Sequence, residues 1–94
     1  MAKFNELERS KIYESAWKKC GTEMQATVAI EEMSEVQKEI CKVLRGKGNR
    51  ENLAEEIADA KIMLEQSQIF NIKASVETWI DYKISKLERE LEKK

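Results

Sequence analysis

The sequence predicts an all-α domain, a small four-helix bundle that completes its core by homo-oligomerisation. Three observations carry this expectation. The 94 residues contain no proline, 37% are charged and 41% hydrophobic, and only 6% are aromatic, a composition that favours helix throughout. Apolar residues recur at helical spacing in successive segments. The three glycines, Gly21, Gly46 and Gly48, fall between those segments and mark helix ends. A single domain over residues 1–94 buries only roughly 60 to 65% of the surface its unfolded chain exposes, so a partner, most simply itself, is expected.

A first helix is predicted from about Glu6 to Cys20, with Asn5 as N-cap, Glu8 as its capping-box partner, and Gly21 as terminator. The second follows Thr22, which with Gln25 reads as another capping box. It carries Ala26, Ala29, Met33, Val36, Ile40, Val43 and Leu44 at helical spacing to about Arg45. The third follows Asn49 and runs to about Phe70. Its apolar residues form two stripes, Leu53, Ile57, Ala60 and Leu64 on one side and Ala58, Ile62 and Ile69 roughly opposite, so burial on two faces is expected. Asn71 suits a left-handed terminator. A fourth helix from about Ser75 to Lys93 is expected to bury Val76, Trp79, Ile80, Ile84, Leu87 and Leu91.

Composition removes several chemistries. Without histidine there is no Ser/His/Asp or Cys/His catalysis and no zinc site that needs imidazole. Cys20 and Cys41 stand 21 positions apart, fit no metal or redox spacing, and read as small reduced side chains without a role. Seventeen basic against eighteen acidic residues, for a net charge of -1, do not suit a surface built for nucleic acid or anionic membrane, and no nucleic-acid partner is expected. No apolar run approaches the ~20 residues of a membrane span, and no secretory signal opens the chain, so a cytoplasmic protein without a membrane partner is expected.

Position, not number, makes the acids informative. Two pairs are spaced i,i+3, Glu32 with Glu35 on the second helix and Glu56 with Asp59 on the third. Residues three apart share a helix face, so each pair can converge on one hard cation, and the short connection makes the two helices antiparallel neighbours. Glu32 lies about 70° and Glu35 about 130° from the centre of the second helix's apolar stripe, and Glu56 and Asp59 fall between the two stripes of the third. Carboxylates bordering a core are costly to ionise, and four facing ones repel, unless a cation compensates. Mg²⁺, with Mn²⁺ as substitute, fits an all-oxygen set and is commonly held together with substrate phosphates. The alternative is ordinary solvated acids, since Glu51, Glu55 and Glu56 also favour a helix's first turn.

The strings Ile30-Glu31-Glu32-Met33-Ser34-Glu35-Val36 and Asn52-Leu53-Ala54-Glu55-Glu56-Ile57-Ala58-Asp59-Ala60 resemble the MazG-like all-α nucleoside triphosphate pyrophosphohydrolases, whose signature is Glu-x-x-Glu followed by Glu-x-x-Asp. The resemblance spans roughly Trp17 to Arg89 and is nearest to short phage-like or bacterial forms. Lys19-Cys20-Gly21, Gln25 and Lys86-Leu87-Glu88-Arg89 add weaker matches. It implies hydrolysis of an NTP or dNTP to NMP and pyrophosphate, in nucleotide-pool housecleaning, by a homodimer or homotetramer.

On that reading Glu32, Glu35, Glu56 and Asp59 are the metal ligands, and Glu31 or Glu35 positions the attacking water or takes its proton. Lys38, Lys86 and Arg89 are candidates for the phosphates, although pairing with nearby glutamates is an equal reading. Trp17, Gln25 and Asn52 are candidates for the base, although an indole near a helix end usually packs. Trp79 and Tyr82 read as packing residues. The segment Arg45-Gly46-Lys47-Gly48-Asn49-Arg50 has the charge to meet phosphate, and the wetness of a connection explains it as well. A non-catalytic helical oligomerisation or interaction module is the competing function, separable by metal dependence.

Overall fold

The computed structural model describes residues 2–66 and 71–93, and among these every regular element is a helix. The order is α1 (Glu6–Cys20), α2 (Thr22–Leu44), α3 (Arg50–Glu65) and α4 (Lys73–Glu92). No helix is long and apolar enough to cross a membrane.

Local chemistry explains most boundaries. Asn5 Oδ1 accepts from the Glu8 backbone N–H at 2.8 Å, and Glu8 Oε1 accepts from the Asn5 N–H at 2.9 Å, so the predicted capping box forms. Gly21 separates α1 from α2 by itself. Its N–H donates to the Trp17 carbonyl at 2.8 Å, and its φ of 86° with ψ of 162° is a conformation only glycine adopts readily. The expected Thr22–Gln25 box does not form. Gly21 is the N-cap, Thr22 already belongs to the helix, and its Oγ1 accepts from the Trp17 indole at 2.7 Å.

The α2–α3 turn is built by two backbone bonds, Gly46 N–H to Val43 O at 3.0 Å and Lys47 N–H to Lys42 O at 2.9 Å, with Gly46 at φ 74°. This pairing of 5→2 and 6→1 bonds around a left-handed residue satisfies the last carbonyls of α2. Gly48 is needed for a close approach, because a Cβ there would lie 2.6 Å from the Val43 backbone nitrogen. Asn49 then caps α3, its Oδ1 accepting from the N–H groups of Glu51 and Asn52. The third helix ends at Glu65, short of the expected Phe70. Ile69 and Phe70 lie outside the described residues. Asn71 has the predicted left-handed backbone, at φ 54°, and α4 starts at Lys73, slightly before Ser75.

Packing is concentrated between α2 and α3. They run antiparallel, Gln25 near the start of α2 meeting Gln66 just after α3, with Gln25 Nε2 donating to Gln66 Oε1 at 2.7 Å inside the protein. Among the described residues, Ala60 and Met63 are the buried apolar residues, and Gln25, Glu39 and Gln66 are buried as well. The first helix leans on the end of α3 through Arg9 and Tyr13, which both meet Glu65, and Lys73 of α4 pairs with Glu6 at 3.6 Å.

Two expectations of burial are corrected within the single chain. On α4, Val76, Trp79, Ile80, Ile84, Leu87 and Leu91 are all exposed, because the described residues do not cover that face. On α3, Ile57, Ile62 and Leu64 are exposed, so the two-sided burial read from its stripes is not reached by this chain alone. The Cα radius of gyration is 16.1 Å, against about 12 Å for a compact domain of this length.

Replacing Gly21 with alanine forces a side chain into its φ of 86°. The expected loss is about 1–3 kcal/mol, read as a lower midpoint in urea unfolding followed by circular dichroism. A midpoint equal to that of the unmodified protein would show that the α1–α2 joint relaxes to ordinary backbone.

Candidate metal centre

Antiparallel pairing puts the middle of α2 against the middle of α3, and the residues in register there are acidic. Glu32, Glu56 and Asp59 each offer a carboxylate oxygen within 4.8 Å of the others. Glu32 and Glu56 are half-buried. An all-carboxylate set is hard and oxygen-only, which fits Mg²⁺ or Mn²⁺ and excludes ions that select nitrogen or sulfur.

The electrostatics show the cost of bringing these groups together. Burial pushes the Glu32 carboxyl above its ordinary value, and Asp59, Glu56 and Glu35 push it further in the same direction. Burial likewise raises Glu56, followed by the charges of Asp59, Glu35, Glu55 and Glu39. Each negative group makes its neighbour harder to ionise, and a bound divalent cation would reverse the sign of that environment. Glu35 borders the group electrostatically, although the three convergent oxygens come from Glu32, Glu56 and Asp59.

Glu39 was not among the sequence-based candidates. It is buried against α3, and Lys42 Nζ lies 3.3 Å from its Oε2, the one ion pair at this end of the group among the described residues. The signal was present in the spacing: Glu32, Glu35 and Glu39 fall three and four residues apart and therefore share a face of α2. Reading acids only as i,i+3 pairs passes over it. Buried and paired, Glu39 extends the negative field behind Glu56, and its own lysine offsets the cost of keeping it there.

The remaining candidates scatter. Glu31 and Lys38 are exposed on α2. Asn52 is exposed one turn before Glu56 and so shares its face. Gln25 is buried, its amide nitrogen committed to Gln66. Trp17 is half-buried at the end of α1, with its indole N–H committed to Thr22. Lys86 and Arg89 are exposed on α4. Trp79 and Tyr82 stack edge to face on α4 with ring centroids 5.7 Å apart, and both are exposed.

A second polar group ties α1 to α3. The Tyr13 hydroxyl donates to Glu65 Oε1 at 2.6 Å, and Arg9 Nη1 lies 3.3 Å from both Glu65 oxygens. Burial, then the Glu65 hydrogen bond and charge, push the Tyr13 phenol up to about 12, with Arg9 opposing them. Its stabilising contribution is complete below pH 10 and is lost as the pH rises through about 12. In a titration of phenolate absorbance, Tyr13→Phe should remove a late step near pH 12, and Glu65→Gln should move that step to lower pH. An unchanged titration in Tyr13→Phe would sink this assignment.

The raised carboxyls of Glu32 and Glu56 act on stability with a definite sign. Their contribution is complete below about pH 4.5 and is lost as the pH rises through their higher folded values, because the unfolded chain ionises first. Without divalent cations, Glu56→Gln should therefore unfold at a higher temperature than the unmodified protein at neutral pH, with the difference vanishing toward pH 4.5. A lower melting temperature at neutral pH would show that Glu56 is compensated in the folded state.

Comparison with family models, with curated proteins and with solved structures gives no match for this chain.

Proposed function

We propose that the protein is a Mg²⁺-dependent nucleoside triphosphate pyrophosphohydrolase that converts an NTP or dNTP to NMP and pyrophosphate. The observation that carries the reading is the convergence of Glu32, Glu56 and Asp59 oxygens within 4.8 Å on two packed helices, where Glu32 and Glu56 are each harder to ionise for the presence of the others. The resemblance of Glu32-x-x-Glu35 and Glu56-x-x-Asp59 to the MazG-like signature supports the choice of reaction.

In this mechanism Glu32, Glu56 and Asp59 would hold the ion. When bound, Mg²⁺ screens the triphosphate and polarises its phosphoryl oxygens. Glu35 borders the three ligands and accepts the proton of the attacking water, with exposed Glu31 as the alternative acceptor. The water oxygen bonds to the α phosphorus, the α–β bridging bond breaks, and its electron pair leaves with pyrophosphate. Asn52, exposed and on the same face of α3 as Glu56, is the residue assigned to the base. Lys38, Lys86 and Arg89 are the cations assigned to the phosphates, the last two depending on where α4 sits in an assembly.

A second reading, a non-catalytic interaction module, is favoured by one observation: the long apolar rows left exposed on α2 and α4. Metal dependence separates the two. Nucleotides incubated with the protein and Mg²⁺ or Mn²⁺ should release NMP and pyrophosphate, and Glu56→Gln or Asp59→Asn should lower the rate about 100-fold or more. At about 100 times its dissociation constant, Mg²⁺ alone should stabilise the unmodified protein by about 2.7 kcal/mol and leave those variants unaffected. No product from any nucleotide, together with no metal-dependent shift in melting temperature, would discard the enzyme reading and leave the interaction module.

A further inference from the structure

The fourth helix sorts its residues into three faces. With Trp79 as the origin and 100° per residue, Val76, Ile80, Ile84, Leu87 and Leu91 fall between about 60° and 140°. Glu77, Asp81, Glu88 and Glu92 follow, between about 160° and 220°. The third face, about 120° wide, carries Trp79, Tyr82, Lys83, Lys86 and Arg89, all exposed. Glu90 is the acid that falls on it, and its Oε1 lies 3.9 Å from Lys93 Nζ just beyond the helix. The net charge of -1, which does not suit nucleic acid over the surface as a whole, thus averages over a helix whose charges are separated by side.

The cations of this face are not used within the chain. Among the described residues, no carboxylate forms an ion pair with Lys83, Lys86 or Arg89. Lys86 and Glu90 stand at i and i+4, but in the less favourable order, and Glu90 meets Lys93 instead. Two exposed rings stand among these cations. Trp79 is 59% exposed and Tyr82 52%. The rings meet at 89°, so their faces point in different directions, and Lys83 Nζ stands 5.7 Å from the Trp79 centroid.

Unpaired cations interleaved with exposed aromatic rings complement a partner that carries flat rings on an anionic chain, which is the chemistry of a single nucleic-acid strand. A duplex keeps its bases stacked on one another and offers this face only phosphates. An anionic membrane would seat the apolar face and so meet both of its borders, and the border formed by Glu77, Asp81, Glu88 and Glu92 would be repelled.

We propose that this face of α4 binds single-stranded nucleic acid, with bases stacked on Trp79 and Tyr82 and phosphates paired with Lys83, Lys86 and Arg89. The contact is indifferent to sequence, because every base has a π face and every nucleotide a phosphate. Lys86 and Arg89 are also the cations assigned above to a nucleotide's phosphates. A strand differs in following the face from Trp79 to Arg89, about 15 Å of helix. The proposal rests on the sorting of α4 and does not depend on the metal reading.

Fluorescence anisotropy of labelled oligothymidylate and oligouridylate, about 15 nucleotides long and without divalent cation, tests it. Both strands should bind the full chain at low salt. The logarithm of the binding constant should fall against that of salt with a slope of about -2, the value for three phosphate contacts on a single strand. Lys83→Gln should reduce the slope by about 0.7, and Trp79→Ala should weaken binding about ten-fold with the slope unchanged. If Trp79→Ala loses helical dichroism, Trp79→Leu reads the same contact. No binding of either strand at low salt overturns the proposal. So does a duplex bound as tightly as the strand, which means charge alone, or displacement of the strand by thymidine monophosphate at equal nucleotide concentration, which means a seat for one nucleotide. Binding of phosphatidylserine vesicles in place of the strands also overturns it and assigns the face to a membrane. Nucleotide hydrolysis without strand binding would leave the proposed activity standing, and strand binding without hydrolysis would leave this face standing.

Discussion

The antiparallel pairing of α2 with α3 is the contact on which the rest of the structure depends, and its chemistry is unusually polar. At one end the Gln25 and Gln66 amides meet inside the protein, at the other Glu39 is buried with Lys42 outside it, and between them stand Glu32, Glu56 and Asp59. Among the described residues, Ala60 and Met63 are the apolar side chains that are buried. A pair of helices held this way gains little from burial, since hydrogen bonds and ion pairs contribute modest net free energy while unpaired buried charges cost more. The Gly46 turn and Asn49 cap therefore matter, because they set the register that places the acids opposite one another.

That register has two consequences. It raises the Glu32 and Glu56 carboxyls, which makes the site a poor place for protons to leave. It also turns the α2 apolar row away from α3, so the face built to be covered is not covered by its nearest neighbour in the chain. Carboxylate convergence and apolar exposure are thus two sides of one choice of packing face. Had α3 packed on the centre of the apolar stripe, the core would be larger and the acids would be spread through solvent.

Most helix ends were legible because they depend on nearest neighbours, except that of α3, which stops at Glu65 and not at Phe70. Asn5 with Glu8, Gly21, Asn49 and Asn71 behave as their chemistry dictates. Thr22 was misread because its hydroxyl has a competing partner, the Trp17 indole across the α1–α2 joint, that no local pattern contains. Gln25, read as a cap residue, donates instead to Gln66, a residue 41 positions away. Among the acids, the i,i+3 spacing exposed Glu32, Glu56 and Asp59, while Glu39 needed the longer row of α2 to be followed to its end.

By itself, then, the sequence determined that the chain is helical, where α1 and α3 begin, and which acids share a helix face, since period and capping act within a few residues. Tertiary structure decided which faces meet. The angle at which α3 sits on α2 reflects the sum of many weak side-chain contacts across the pair, and no single residue encodes it. It also decided that α4 leaves its apolar row in the open, because an amphipathic helix specifies that one face should be covered without specifying by what.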